Sequence, residues 1–357
     1  MALPHPPGRG ARVQVTRTTS ARYVLILLML IVIGGIGGVV AIHSRVPGAP
    51  KACCAQWQRS TLTGETDALL ADPHTPARLF AGSPTGLWIS NDTGMTWSHA
   101  RGWAGHIAVQ SLAAASASHT IFVGANDGSV YTGSSSGTGD WLRISPPLSA
   151  SPVFCLAYNP HLRVLLAGMV DGLYRGEQRG TGWRWRKVAA TEDSAVTAIA
   201  WTPWDSARGY ASVFGVQPPL LRTDDGGRTW HADARGLPST LPTQSLLALT
   251  SQGQQVWLST MGGGVWRRAT DGTWHDESSG LPAHHAMPLV ASLGGTLYAG
   301  TMGYGVYTKQ GPEAWRRVGR ELIGSQYIIL SLAWVDQKRS ILVAGTSRGV
   351  YRYTFPS

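Results

Sequence analysis

A short apolar segment recurs seven times after residue 55 and limits the folds open to this chain. Each copy begins at a glycine or a proline, and successive copies start 41 to 47 residues apart. They read GLWIS at Gly86, GSVYT at Gly128, GLYRG at Gly172, PLLRT at Pro219, GVWRR at Gly264, GVYTK at Gly305 and GVYRY at Gly349. Another apolar run precedes each copy. This period is typical of four-stranded propeller blades, so the sequence predicts an all-β, seven-bladed β-propeller over residues 55–357.

Tryptophans mark the start of the fourth strand in the predicted blades, but one tryptophan is missing. Six of them follow the repeated segment: Trp97, Trp141, Trp185, Trp230, Trp274 and Trp315. The seventh copy of the segment has none after it, whereas Trp57 has no blade before it. The sequence therefore predicts that an N-terminal strand at Trp57 completes the last blade. Such closure removes an exposed strand edge from the ring.

Two of the predicted turns between third and fourth strands share the pattern Ser/Thr-x-Asp-x-Gly-x-Thr-Trp. An aspartate can close such a turn by accepting backbone hydrogen bonds, and a glycine tolerates a left-handed backbone. The tryptophan restarts a strand and needs a buried position. We therefore expect a structural role for the pattern positions, which are Ser90, Asp92, Gly94, Thr96 and Trp97 in one turn and Thr223, Asp225, Gly227, Thr229 and Trp230 in the other.

This pattern resembles the Asp-box, or bacterial neuraminidase repeat, family of β-propellers. The resemblance implies that the turn lies at the periphery of the propeller, away from any active site. In layout the chain is similar to single-propeller proteins of the photosystem II assembly-factor type and to sialidase-like repeat proteins. The first similarity implies binding of a membrane-protein partner, and the second implies glycoside hydrolysis.

The N-terminal region predicts a membrane anchor. Residues 23–42 form an uncharged apolar run of 20 residues, which is long enough to cross a bilayer as a helix. A cleaved signal peptide is the alternative, but no small-residue cleavage pattern follows the run. Four arginines precede it, which favours a cytoplasmic N-terminus and a propeller outside the cytoplasm. We thus expect a disordered cytoplasmic tail over 1–22, a single-pass signal anchor over 23–42 in the cell membrane and a linker over 43–54.

The net charge of +10 does not indicate a nucleic-acid-binding protein. Residues 1–51 carry six basic residues and no acidic one, so the remainder has 30 − 6 = 24 basic residues against 20 acidic ones. The excess is therefore mainly a signal of membrane topology, and we expect no nucleic-acid partner. Three cysteines do not make a disulfide framework. The sequence predicts no cofactor and no bound metal.

Loops between second and third strands share one face of a propeller with the connections between blades. In the sialidases and xyloglucanases that the chain resembles, that face carries the site. Eleven residues of these segments are candidates for ligand contact: Trp103, His106, Asp127, Asp171, Glu192, Asp193, His284, His285, Tyr304, Tyr327 and Arg348.

These candidates leave several alternatives open. Glu192 and Asp193 could move protons, or they could simply be solvated. His284 and His285 are the best candidates for metal ligands, but adjacent side chains rarely converge on one ion and the sequence shows no third ligand. Trp103 and Tyr304 could stack on a sugar or peptide, or each could cover the blade beneath it.

The sialidase resemblance implies three arginines that hold a carboxylate, a Tyr–Glu nucleophile pair and an acid/base aspartate. The candidate face offers few arginines, of which Arg348 is the clearest, and no Tyr–Glu arrangement. The sequence therefore favours a protein-binding or assembly scaffold without a catalytic residue. The alternative is a carbohydrate-active enzyme or a glycan-binding module.

Overall fold

The computed structural model describes residues 56–103, 107–115, 118–214, 218–238, 243–249, 254–282, 288–336 and 340–356. These residues form seven four-stranded antiparallel sheets. The predicted seven-bladed β-propeller is thereby confirmed. No helix in these ranges has both the length and the apolar character that a bilayer crossing requires. The predicted tail, anchor and linker, over 1–22, 23–42 and 43–54, lie outside the described residues.

Six blades each use four consecutive strands, with the first strand innermost. The first three blades comprise β2 (Ala68–Ala71), β3 (Leu79–Ser83), β4 (Gly86–Ser90) and β5 (Ser98–His99); β6 (Val109–Ala115), β7 (Thr120–Ala125), β8 (Val130–Ser134) and β9 (Leu142–Arg143); and β10 (Cys155–Asn159), β11 (Val164–Met169), β12 (Gly172–Arg179) and β13 (Gly182–Lys187).

The next three blades follow the same order. They comprise β14 (Ala195–Thr202), β15 (Asp205–Phe214), β16 (Leu220–Thr223) and β17 (His231–Ala232); β18 (Thr243–Leu249), β19 (Gln255–Thr260), β20 (Gly264–Arg268) and β21 (Trp274–Asp276); and β22 (Leu289–Ala291), β23 (Leu297–Gly300), β24 (Val306–Lys309) and β25 (Arg316–Val318). A 3-10 helix, Ala189–Thr191, lies between the third and fourth blades.

The seventh blade contains both ends of the propeller domain. Its strands are β26 (Ile329–Asp336), β27 (Ser340–Thr346), β28 (Gly349–Thr354) and the N-terminal β1 (Trp57–Thr63). Trp57 lies opposite Tyr353, and Arg59 lies opposite Tyr351. The predicted closure of the last blade by an N-terminal strand is thus what the structure shows.

The apolar core lies between neighbouring blades. Second strands such as β3 and β11 are buried at every position, because a blade packs on each of their faces. One cluster joins Leu79 and Ala81 of the first blade to Ile341 and Val343 of the seventh. This two-sided burial explains why the second strands read as continuous apolar runs and do not alternate.

Tryptophans of the fourth strands connect successive blades by hydrogen bonds. The indole N–H of Trp57 donates to the Val318 carbonyl of the sixth blade at 2.9 Å. Equivalent bonds to the preceding blade run from Trp185 to Ile144, from Trp274 to Asp233 and from Trp315 to Glu277, at 2.8 to 3.0 Å. In each case the acceptor lies at the C-terminal end of the preceding blade's fourth strand.

The turn at Ser90–Trp97 joins β4 to β5 and is organised by the Asp92 carboxylate. This carboxylate accepts the backbone N–H groups of Met95 and Thr96 and the Thr96 hydroxyl, at 2.6 to 3.1 Å. The Ser90 hydroxyl donates to Asp92 and accepts the Gly94 N–H. The turn is therefore closed by side chains at the pattern positions, as the structural interpretation requires.

The turn at Thr223–Trp230 repeats these bonds between β16 and β17. Asp225 accepts from Arg228 and Thr229, and Thr223 accepts the Gly227 N–H. Desolvation acts to raise the pKa of Asp225, but the hydrogen bonds from Thr229 and Thr223 outweigh it and lower the pKa to about 2. The carboxylate is consequently favoured in the folded state.

The patterned turns change the partner of the following tryptophan. Trp97 and Trp230 donate to Gly94 and Gly227 within their own turns, at 3.0 and 3.3 Å. Contact with the preceding blade then comes from the turn itself. At Gly94, for example, an added Cβ atom would lie 3.2 Å from Val343 of the seventh blade.

The start of one fourth strand was predicted wrongly. β13 begins at Gly182, whereas the sequence prediction starts it at Trp185. The reason is a two-residue turn at Gly180 and Thr181, in which Gly180 has a φ of 59°. This tight turn lets pairing with β12 continue to its end, so Trp185 lies within the strand.

We predict that Trp57→Phe weakens ring closure. The substitution leaves the Val318 carbonyl without its indole donor and should lower the free energy of unfolding by about 1 kcal/mol. Amide hydrogen exchange should accelerate in β1 and β28. Trp230→Phe is the matched control because Trp230 donates within its own turn in the fourth blade. Equal exchange of β1 in the two variants would contradict the assignment.

We predict that Asp225→Asn lowers stability in a pH-dependent way. A lowered carboxyl pKa contributes stability that is present above the usual value of 3.8 and is lost as the pH falls through about 2. Wild type should exceed the variant by about 1 kcal/mol at pH 7, a small value because water screens the half-exposed carboxylate. Urea unfolding at pH 2, 4 and 7 measures this difference. A constant difference over this range would argue against the charged turn.

Candidate functional site

A cleft lies where the two ends of the propeller domain meet. Its volume is about 600 Å³. β1 supplies Arg59, the connection from the sixth to the seventh blade supplies Tyr327, and the turn between β27 and β28 supplies Arg348. Tyr351 is buried at its base, being 8% exposed. The full lining is Arg59, Gly64, Ser325, Gln326, Tyr327, Ile328, Ser347, Arg348 and Tyr351.

Backbone and hydroxyl contacts fix the walls of this cleft. Ser347 and Arg348 form a two-residue turn, and the Ser347 hydroxyl donates to the Gln326 carbonyl at 2.9 Å. The same hydroxyl accepts the Ile328 N–H at 3.1 Å. The Arg348 N–H donates to the Thr346 hydroxyl at 3.0 Å. These bonds tie the turn of the seventh blade to the connection that enters it.

The cleft offers cationic and hydroxyl groups but no lining carboxylate. Among the described residues neither Arg59 nor Arg348 forms an ion pair. Burial raises the pKa of Tyr351, a hydrogen bond with Tyr327 raises it further, and the two guanidinium groups act in the opposite direction. Guanidinium groups bind carboxylates and phosphates in charge-assisted hydrogen bonds. The chemistry of this cleft therefore suits an anionic group.

Two of the predicted ligand-face residues line this cleft, and a third lies in a neighbouring loop. Tyr327 and Arg348 line the cleft. The neighbouring loop of the sixth blade carries Tyr304, which is 39% exposed. That loop is joined to the cleft because the Gly303 N–H donates to the Tyr327 carbonyl at 2.8 Å.

The acidic candidates lie in other blades and are held by local partners. Asp127 accepts a hydrogen bond from the Tyr131 hydroxyl at 2.8 Å. Asp171 accepts from Tyr174 and forms an ion pair with Lys187 at 3.2 Å. Although desolvation acts to raise the pKa of Asp171, the bonds from Tyr174 and Lys187 lower it. Asp171 is therefore suited to fixing its loop and not to donating a proton.

The connection after the third blade brings one more candidate beside Asp171. The Asp193 N–H donates to the Asp171 carbonyl at 3.1 Å, and Asp193 has a φ of 60°. The side chains of Glu192 and Asp193 are exposed. This position fits the solvated alternative for the pair.

Trp103 covers the blade beneath it. Its ring meets Tyr131 and Trp141 edge-on, at centroid distances of 5.1 and 5.8 Å. Its indole N–H donates to the Ile107 carbonyl. The covering alternative therefore describes Trp103 better than the stacking platform.

The predicted histidines fall outside the described residues. These are His106, His284 and His285. Within the described ranges, no group of three or more His, Cys, Asp or Glu side chains is placed to hold a metal ion.

A carboxylate at the mouth of the central channel was missed by the sequence analysis. Asp67 directly precedes β2, and Gln110 donates to it at 3.4 Å. Burial raises the pKa of Asp67 to about 7, and the nearby Glu65 adds to this effect. The mouth is a cavity of about 240 Å³ that also receives Phe154 and Ser331 from other blades. The signal available in the sequence was two acids, one residue apart, before an innermost strand.

Comparison with known proteins shows the fold and no closer kinship. No family model and no curated protein matches the chain. A GH74 xyloglucanase from Xanthomonas campestris aligns with a TM-score of 0.64 at 18% identity, covering 84% of this chain and 53% of that one. The extracellular domain of a hybrid two-component system from B. thetaiotaomicron gives 0.66 at 16% identity, covering 85% and 40%. The chain thus spans about half, or less, of the length of these proteins.

A third solved structure aligns with this chain over nearly the whole of that structure's own length. It is YCF48 bound to a D1 peptide, with a TM-score of 0.63 at 11% identity, covering 86% of this chain and 97% of that one. At such identities the similarity shows a shared propeller fold.

We predict that Asp67 destabilises the folded chain at alkaline pH. The folded state holds this proton more tightly than the unfolded state, so stability declines from about pH 4 to about pH 7. Asp67→Asn should remove that decline and be more stable than wild type at pH 8 by on the order of 2 kcal/mol. Urea unfolding measures the gain.

Glu65→Gln is the control for this assignment. It removes the neighbouring charge and should lower the Asp67 pKa, which carbon-13 NMR of the carboxyl groups can follow. An Asp67 carboxyl that titrates near 4 in wild type would contradict the prediction.

Proposed function

We propose that this chain is a membrane-anchored, extracytoplasmic propeller that acts as a protein-binding or assembly scaffold. The observation that carries the proposal is the cleft at Arg59, Tyr327, Arg348 and Tyr351, which presents two guanidinium groups without ion-pair partners among the described residues. A rigid disc with a cationic cleft and aromatic walls suits an acidic or carboxylate-bearing segment of a protein partner.

One neighbouring structure supports this mode of action. YCF48 is a propeller of similar extent and is bound to a peptide in its structure. The xyloglucanase alignment covers only about half of that enzyme. Because this chain covers nearly all of YCF48 but only about half of the xyloglucanase, the comparison of lengths favours binding by a single propeller. Each of these two proteins is shown to share only its fold with this chain.

Two parts of the proposal rest on the sequence. Membership of the Asp-box propellers is supported by the turns Ser90–Trp97 and Thr223–Trp230 and by their hydrogen bonds. The membrane anchor is supported by the uncharged run over 23–42 and by the arginines before it.

A carbohydrate-active enzyme or a glycan-binding module is the second candidate. Asp67 favours it, because a carboxyl with a pKa of about 7 can act as a general acid near neutral pH. Glycosidases use two carboxyl groups, which lie about 5 Å apart in retaining enzymes and further apart in inverting ones. Among the described residues, Glu65 is the only carboxylate whose charge contributes to the raised pKa of Asp67.

Crosslinking and pull-down of the anchored chain from its native membrane test the proposal. A protein partner should be recovered with wild type and reduced at least tenfold with the double variant Arg59→Glu and Arg348→Glu. Arg143→Glu, an exposed charge reversal on β9, is the matched control and should retain the partner. Recovery of no partner, together with hydrolysis of a glycoside by wild type but not by Asp67→Asn, would replace the scaffold with the enzyme.

Protease treatment of intact spheroplasts tests the orientation. Digestion of the propeller is expected, because the proposal places it outside the cytoplasm. Protection of the propeller until the spheroplasts are lysed would reverse the topology.

A further inference from the structure

The outer edge of the third blade differs from the other in-line blades. Its fourth strand, β13, has six residues, whereas the fourth strands of the other in-line blades have two or three. The closing strand β1 is also long, but its Thr61 N–H already donates to the Met95 carbonyl of the first blade. In the described part of the chain, β13 is thus the long strand whose outer side has no such contact.

The pairing of β13 defines which backbone groups point outward. The two-residue turn makes Arg179 and Gly182 a hydrogen-bonded pair, and the pairs alternate from there. The Val188 N–H, which donates to the Leu173 carbonyl, continues the same alternation. The N–H and C=O groups of Trp183 and Trp185 therefore face away from β12. No described backbone group accepts or donates to them.

Contacts with the second blade hold this edge in an extended conformation. The Trp185 indole donates to the Ile144 carbonyl of the second blade at 3.0 Å. The Trp183 ring meets Phe122 edge-on at 5.6 Å. Both rings lie on one face of the strand, so a partner would not have to order the edge before pairing with it.

The other face of β13 is cationic. Arg184 and Arg186 are exposed, and neither forms an ion pair among the described residues. Glu177 lies opposite Arg184 in the ladder, but its carboxylate is bound by Arg175 and Arg179. Two guanidinium groups at i and i+2 therefore remain available beside unpaired backbone groups.

We propose that the β13 edge accepts an extended segment of a partner protein as a fifth strand, and that the segment carries acidic side chains at alternate positions. Strand addition supplies main-chain hydrogen bonds, and alternate side chains supply specificity. Acidic residues on the Arg184 face would lie opposite or diagonal to these arginines, at spacings where opposite charges stabilise a sheet.

A second copy of this chain is a poor occupant of the same edge. Pairing of two β13 strands would bring the arginines of both copies onto one face, where like charges repel. Charged edge residues are a known protection against such pairing. The other in-line blades avoid such pairing because their outer strands are short. The long β13 edge instead depends on its charge, which also selects an acidic partner.

The probe is an acetylated and amidated peptide of eight alternating threonine and glutamate residues, added to the purified full-length chain in detergent. We expect saturable binding that weakens at least fivefold between 50 and 300 mM salt. Amide exchange should slow at Trp183 and Trp185. A sequence-scrambled peptide of the same composition should bind at least fivefold less tightly.

Two N-methylated versions of this peptide separate strand addition from simple charge attraction. One carries the methyl groups on the threonine nitrogens and the other on the glutamate nitrogens. Only one set of N–H groups faces β13 in a given strand direction, so one version should lose binding at least tenfold while the other retains it. If the peptide adds antiparallel to β13, the peptide methylated on threonine should lose binding. If it adds parallel, the peptide methylated on glutamate should lose binding. Equal binding of both versions, or no binding of the parent peptide at millimolar concentration, would overturn the proposal.

Charge reversal supplies the matched variants. Arg184→Glu with Arg186→Glu should lose the glutamate peptide and gain an analogous lysine peptide, whereas Arg143→Glu on the two-residue β9 edge should change neither. The N-methyl comparison uses the wild-type chain and remains decisive if the double variant does not fold. The outcome is independent of the cleft at Arg59 and Arg348.

Discussion

The hydrogen bond from a fourth-strand indole to the preceding blade is the contact on which the ring depends. A propeller blade is a small sheet that buries its two faces only against its neighbours. Apolar packing between blades is not directional, whereas the bond from Trp315 to Glu277 or from Trp274 to Asp233 fixes how far one blade lies from the next. Where a patterned turn is present, the turn takes over this contact and the tryptophan instead stabilises the turn. Two local solutions therefore serve the same constraint in six blades, whereas Trp141 of the second blade meets the Phe80 ring of the first blade edge-on.

The sequence predicts the parts of this fold that repeat. Seven third strands and the unpaired Trp57 were enough to predict the number of blades and the closing strand, because each blade reuses one pattern of burial. The start of β13 was mispredicted because Trp185 resembles the other fourth-strand tryptophans. The two-residue turn at Gly180 and Thr181 is not repeated in the other in-line hairpins, and it lengthens this hairpin by letting β13 begin at Gly182.

The candidate site could be predicted only in part, for a physical reason. Tyr327 and Arg348 belong to segments that the topology assigns to one face, so the sequence could select them. Arg59 reaches the same cleft only because β1 pairs with β28, and its position in β1 gave no sign of this contact. The raised pKa of Asp67 arises from burial at the channel mouth and from Glu65. Burial of this kind is produced by the closed ring and is not encoded in the local residues.

The origin of the cleft walls links ligand binding to the integrity of the ring. Arg59 comes from the first strand of the domain and Arg348 from its last hairpin, so the two guanidinium groups are neighbours only when β1 is paired with β28. A ligand that needs both groups binds the closed ring and not the open one. By mass action such a ligand raises the free energy of opening by RT ln(1 + [L]/Kd). A bound ligand would then hold the two ends of the domain together, and binding would show that β1 and β28 are paired.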